Sequence, residues 1–165
     1  DAVTVSPFMG LDSIQPFIDY LDKGIFILTR TSNPGGSDFQ ELLIQTSDSE
    51  YRPLYLHIAS KVNNWNTFNN LGLVVGATNP QELQQIRGEC PSLPILIPGI
   101  GAQGGDLRSS IEFGIDSQGR RAIINASRSI IYASDGLDFA EAARREALTL
   151  RNSINLILSE INQGW

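Results

Sequence analysis

An α/β fold on a parallel sheet is the class this sequence predicts, and three observations predict it. Short apolar, β-branched runs recur along the 165 residues, each followed by a turn-rich segment and then a helical pattern. Strand alternating with helix implies parallel pairing, because the crossover must return the chain in the same direction. In Leu93-Pro-Ile-Leu-Ile-Pro-Gly-Ile-Gly-Ala-Gln-Gly-Gly-Asp106 a buried strand runs into a glycine-rich loop that opens a helix. One strand later, Ala122-Ile-Ile-Asn-Ala-Ser-Arg-Ser-Ile130 has a similar shape, with a small residue and an arginine at the strand's end.

Taken in order, the expected strands are Ala2–Ser6, Gly24–Thr29, Gly72–Val75, Pro94–Ile97 and Ala122–Asn125, all read as buried. Ser13–Leu21 is the first helix. The second connection is long, with Gly35-Gly36-Ser37-Asp38 as a flexible loop and helical patterns at Phe39–Thr46 and Leu54–Asn66. Pro80 suits a first helical turn, where its missing N–H has no partner to lose, and starts a helix running to Gly88. Leu107–Gly114 is the fourth helix. The last runs from Asp138 to Gln163, where Phe139, Ala143, Ala147, Leu150, Ile154, Ile157 and Ile161 form one apolar stripe.

Five strand–helix units account for the chain. A closed (β/α)8 or TIM barrel needs eight, typically in about 250 residues, whereas an open five-stranded sheet leaves two unpaired edges. Asp1-Ala-Val-Thr-Val-Ser6 reads as a strand already under way, without an initiator methionine. Residues 1–165 are therefore expected to be the C-terminal five strand–helix units of such a barrel, strands four to eight, with three units preceding Asp1.

Composition removes several function classes. A net charge of −6 argues against a nucleic-acid-binding surface. Cys90 is the only cysteine and His57 the only histidine, so no intrachain disulfide, cysteine cluster or multi-histidine metal site is expected. No apolar run reaches the roughly 18 residues of a membrane span, and no signal peptide is visible. A cytoplasmic location is the default expectation.

The two strand ends carry the functional signal. Adjacent loops with exposed amides and one arginine make an anion site, because first-turn N–H groups lack partners and the helix dipole is positive there. In barrels of this type such phosphate sites follow the seventh and eighth strands. Gly99-Ile-Gly-Ala-Gln-Gly104 also matches the dinucleotide pattern G-x-G-x-x-G. That fingerprint, however, follows the first strand and is answered by an acidic residue on the next, where this chain has Asn125, Ala126, Ser127 and Arg128. A tight turn without a ligand would leave Gln103 and Arg128 unexplained.

Pro98–Asp106 and Ser127-Arg-Ser-Ile130 resemble the last two strand ends of the orotidine 5′-phosphate decarboxylase family. Val3-Thr-Val-Ser-Pro-Phe-Met-Gly10, Thr29-Arg-Thr-Ser-Asn-Pro34 and Val74-Val-Gly-Ala-Thr78 resemble its fourth, fifth and sixth. With the insert around Tyr51–Asn66, the versions look most like the subgroup of mycobacteria and apicomplexan parasites. The resemblance implies decarboxylation of orotidine 5′-monophosphate to uridine 5′-monophosphate, without metal or organic cofactor, by a homodimer. It assigns Arg128 to the substrate phosphate, where a planar guanidinium fork suits two phosphate oxygens. The Ser127 and Arg128 amides match further donors to that group, and Gln103 a glutamine on a loop folding over the ligand. Gly101, Gly104 and Gly105 would supply hinge freedom, with Gly99 in the same loop. Ser32 matches a serine that bonds the pyrimidine edge, and Pro98 and Ile100 supply apolar surface near the base.

The family's Asp-x-Lys-x-x-Asp signature is missing, and the only lysines, Lys23 and Lys61, sit in no such motif. The resemblance therefore implies the binding part of a site, with its catalytic groups before Asp1. Taken singly, Ser32 could start a turn before Asn33-Pro34, Arg128 could be a surface ion-pair residue and Gln103 an exposed loop side chain. His57 reads as a helix residue without chemistry, and Asp19, Asp22, Glu82 and Glu89 as solvated positions. The competing functional readings are a non-catalytic phosphate-ligand module, another phosphate-binding barrel enzyme such as one acting on ribulose phosphates, and a dinucleotide-dependent oxidoreductase.

Overall fold

Five parallel strands form one sheet in the order β1-β2-β5-β6-β7: β1 (Ala2–Val5), β2 (Gly24–Arg30), β5 (Leu71–Val75), β6 (Ile95–Pro98) and β7 (Ala122–Asn125). The computed structural model describes residues 1–46, 50–101 and 104–164. The connecting helices are α1 (Leu11–Ile18), α2 (Leu54–Trp65), α3 (Pro80–Glu89) and α4 (Leu107–Gly114). A short α5 (Arg128–Ile131) and a long α6 (Phe139–Glu160) follow β7.

Alternation along the strands decides which side chains meet the helices. Val5, Ile27, Leu73, Ile95 and Ala122 pair in one register row and pack with Ile14, Ile18, Ala59, Val62, Leu83 and Ile86 in the main core. Each fully buried Ile or Leu there contributes about 1.5–3 kcal/mol. Leu28, Val74, Leu96 and Ile123 form the neighbouring row on the other face, which ends at Ile123, 44% exposed. Only the middle of the sheet is buried throughout: β5 is, whereas Ala2–Thr4 of β1 are exposed. The expectation of five buried strands thus fails at the edges, because β1 and β7 each have a single neighbour.

Three local expectations are corrected. Phe39–Thr46 is not helical: Leu43–Gln45 is strand β3, paired antiparallel with β4 (Tyr51–Pro53). Cross-strand bonding to a partner several residues on outweighs a short apolar spacing that suits either structure. The Gly35–Asp38 loop lies in a 3-10 helix, Pro34–Asp38, with Gly36 buried. The first helix starts at Leu11 rather than Ser13, launched by Gly10 at φ 92°, and ends at Ile18. The stripe on α6 is best covered along its second half, where Ile154, Ile157, Leu158 and Ile161 pack with Ile111, while Phe139 is 62% exposed and Ala147 exposed. No helix among the described residues is long and apolar enough to cross a membrane.

Candidate functional site

Because all five strands run the same way, their C-terminal ends share one rim, where open-ended loops can converge on a ligand. The rim is assembled by close backbone approaches between successive strand ends. After β5, the Gly76 N–H donates to Arg30 O at 2.7 Å and the Ala77 N–H to Pro98 O at 2.8 Å. A Cβ on Gly76 would stand 2.7 Å from Ser32 Cβ and 2.8 Å from its N, so only glycine lets the Ser32 loop lie there. A Cβ on Gly105 would stand 2.5 Å from Ala77 Cβ and 2.9 Å from Gly99 O. Two glycine seats therefore join the Ser32 loop, the β5 end and the glycine-rich loop into one contiguous surface.

Backbone bonds link the two described flanks of the glycine-rich loop after β6. Gly99, Gly101 and Gly104 have φ of 102°, 82° and 77°, a region that disfavours side chains. The Gly104 N–H donates to Gly101 O at 2.9 Å and the Gly105 N–H to Gly99 O at 3.2 Å, closing the turn on itself. Asp106 then caps α4, its Oδ2 accepting the Ser109 N–H at 2.7 Å, and hydrogen bonding from the Ser109 side chain and from that N–H holds its carboxyl below the ordinary range. Pro98 is half-buried and Ile100 is buried, part of the main core, so Ile100 anchors the loop to that core. Gln103 lies outside the described residues.

One strand on, Ser127 caps α5, and its carbonyl accepts from Ile130 at 3.1 Å and Ile131 at 2.8 Å. Arg128 is the first residue of that helix, exposed, and in no ion pair among the described residues. A cation with no carboxylate to neutralise it, beside a turn of glycine amides, can bind an anion. A Cβ on Gly101 would lie 3.4 Å from Ser129 Oγ, which places the glycine-rich loop against α5. The structure thus brings Ser32, Pro98, Gly99, Ile100, Gly101, Gly104, Gly105, Ser127 and Arg128 to one rim, on strand ends, loops and the first turn of α5.

The lysines are elsewhere. Lys23 immediately precedes β2, at the opposite end of the sheet, and pairs with Asp22; Lys61 is exposed within α2. His57, also on α2, is pushed below its usual pKa by burial and by Lys61 and Arg52. Glu82 and Glu89 are not simply solvated: Glu82 lies 3.6 Å from Arg30 and Glu89 pairs with Arg52 at 3.2 Å. Gly76 and Ala77 are rim residues given no individual role in the sequence reading, although both lie inside the Val74–Thr78 motif; the glycine was the signal that could have marked the close approach.

The fold and rim define a chain of (β/α)-barrel type whose strand-end loops carry the candidate site. The chain belongs to the orotidine 5′-phosphate decarboxylase / HUMPS family, whose model matches residues 1–144. It is 53% identical over 155 residues to the orotidine 5′-phosphate decarboxylase of Dehalococcoides mccartyi strain CBDB1, covering 94% of this chain and 57% of the relative. Against the same enzyme of Ralstonia pickettii it is 49% identical, covering 94% and 56%. The solved OMP decarboxylase of Leishmania donovani superposes with a TM-score of 0.76 at 40% identity, covering 93% of this chain and 56% of that one. The UMP synthase of the same organism gives 0.78 at 42%, covering 93% and 33%. The chain thus spans little more than half the length of the curated relatives it matches.

Proposed function

We propose that this chain is the phosphate- and pyrimidine-binding part of an orotidine 5′-phosphate decarboxylase, strands four to eight of its barrel, acting in pyrimidine biosynthesis. The observation that carries this is the rim itself: an exposed Arg128, in no ion pair among the described residues, beside the glycine-rich loop, which is linked through Gly105 and Gly76 to the Ser32 loop. In this reading Arg128 and the Ser127 and Arg128 amides hold the phosphate, Gln103 folds over the ligand, and Ser32 bonds the pyrimidine edge. Contacts to the remote phosphate offset the cost of loop closure and of desolvating the reacting carbon. They supply no proton, and with both lysines away from the rim residues 1–165 bind without turning substrate over. A second copy of the chain is the proposed protein partner; light scattering at twice 18.1 kDa supports it, and the single mass removes it.

Calorimetry with uridine 5′-monophosphate tests the reading. Arg128→Ala is expected to weaken binding by about 3 kcal/mol, roughly 100-fold, for the lost charge-assisted pair. Ser32→Ala weakens the nucleotide but not ribose 5-phosphate; equal affinity of the two variants and the parent for both ligands sinks the proposal. A non-catalytic phosphate-ligand module is the second reading, favoured by the absence of a rim lysine among the described residues. Nucleotide binding without turnover by the natural full-length product would support it.

A further inference from the structure

Beneath the Ser32 loop lies a polar network that the ligand contacts above do not use. It begins with a bulge in β2: the register with β5 slips between Leu28 and Arg30, so that Thr29 and Arg30 are both buried. Bulges of this kind re-aim a side chain at the end of a strand. Arg30, 6% exposed, donates from Nη1 to Gln40 Oε1 at 3.3 Å and pairs with Glu41 through Nη2. Gln40 reaches back across nine positions of sequence to grip one residue at two points. Its Oε1 accepts the Thr31 N–H at 2.9 Å, and its Nε2 donates to Thr31 Oγ1 at 2.8 Å. Thr31 Oγ1 donates to Asn33 Oδ1 at 2.6 Å, and Asn79 Nδ2 donates to Thr31 O at 3.1 Å.

Every polar group of Thr31 is thereby held, and Ser32 is the next residue. Gln40 is itself fixed: its N–H donates to Gly36 O and its carbonyl accepts from the Tyr55 N–H, both at 2.9 Å. A Cβ on Gly36 would come within 3.0 Å of Gln40 Oε1, so glycine there leaves the amide uncrowded. Ser32 is thus set from one side by Thr31 and from the other by the Gly76 seat.

We propose that Gln40 is a positioning residue for the pyrimidine end of the ligand, acting through Thr31 on Ser32; this rests on the pyrimidine contact proposed for Ser32. Gln40 makes none of the ligand contacts proposed above, and its effect falls mainly on the base, because it bonds the Ser32 loop directly while the glycine-rich loop carries bonds of its own, Gly104 N–H to Gly101 O, Gly105 N–H to Gly99 O and the Asp106 cap.

Titration of the protein with uridine 5′-monophosphate and with ribose 5-phosphate tests it. Gln40→Ala is expected to weaken the nucleotide about 10-fold, the worth of one to two hydrogen bonds, and ribose 5-phosphate less than about twofold. Added to Ser32→Ala, it causes no further loss, since the two act in series. Gln40→Glu restores most of the affinity, because a carboxylate still accepts from Thr31 N–H and Arg30. Thr31→Val removes the hydroxyl grip at constant size and gives the same pattern at smaller amplitude; it decides the matter on the same readouts if Gln40→Ala does not fold. Equal loss for both ligands, no loss for either, or losses that add to Ser32→Ala overturn the proposal. If Ser32→Ala alone leaves nucleotide binding intact, the pyrimidine reading itself has failed and this inference falls with it.

Discussion

Arg87 shows what a single buried charge can do when it is fully bonded. It is 9% exposed, and it donates from Nε and Nη2 to Gly114 O at 2.9 and 2.6 Å. From Nη1 it donates to Leu93 O at 2.7 Å and to Cys90 O at 3.0 Å. Burial pulls its pKa down to about 10, partly countered by Asp116, so it stays charged at neutral pH. The fork ties the ends of α3 and α4 to the start of β6, on the side of the sheet away from the rim. Arg87→Met is expected to cost about 3 kcal/mol in urea unfolding, because several buried carbonyls lose their donor together. Arg87→Lys restores little, since an ammonium cannot reproduce the planar fork. Nothing in the sequence marked this arginine: its partners are backbone carbonyls, which leave no signature.

Among the elements, α4 couples stability to the site most directly. Its capping residue, Asp106, is also the last residue of the glycine-rich loop, so frayed capping loosens the rim. Asp106→Ala is expected to cost about 1 kcal/mol, measured by thermal or urea unfolding. The sign with pH follows from a folded-state pKa held below the ordinary value. The cap's contribution is complete above the ordinary carboxylate range and is lost as pH falls through the lowered pKa. Parent and Asp106→Ala stabilities therefore converge in acid; a constant gap down to low pH would show that the carboxylate is not the origin. The elements legible in sequence were those with local signals, such as Pro80 opening α3 and the glycine run opening α4. The β3–β4 hairpin was not, because three-residue strands carry too few alternations to fix a period.

At the scale of the whole molecule, the placement of the lysines separates binding from turnover. Lys23 lies at the far end of β2 and Lys61 on an exposed helix face, so neither Lys23→Ala nor Lys61→Ala is expected to change nucleotide affinity by more than about twofold. A tenfold loss in either would mean that the chain folds its site differently. In a decarboxylation assay residues 1–165 are expected to show binding without product; turnover would require a proton donor at the rim other than lysine. The exposed edge strands β1 and β7 are where the one-sequence reading of five buried strands broke down, since burial of a strand depends on neighbours on both sides.

The sequence by itself determined the parallel α/β class, the succession of strands along the chain and the loops proposed to carry the site, because periodicity, Pro80 and the glycine-rich run are local and each acts within a few residues. It also determined the family, through five ordered motifs, and the absence of a lysine from them. Only the tertiary structure decided how those loops meet. The Gly76 and Gly105 seats and the bulge at Arg30 join segments far apart in the chain and exist only once the strands have paired in register, and the grip of Gln40 on Thr31 forms only once the loop between them has folded back.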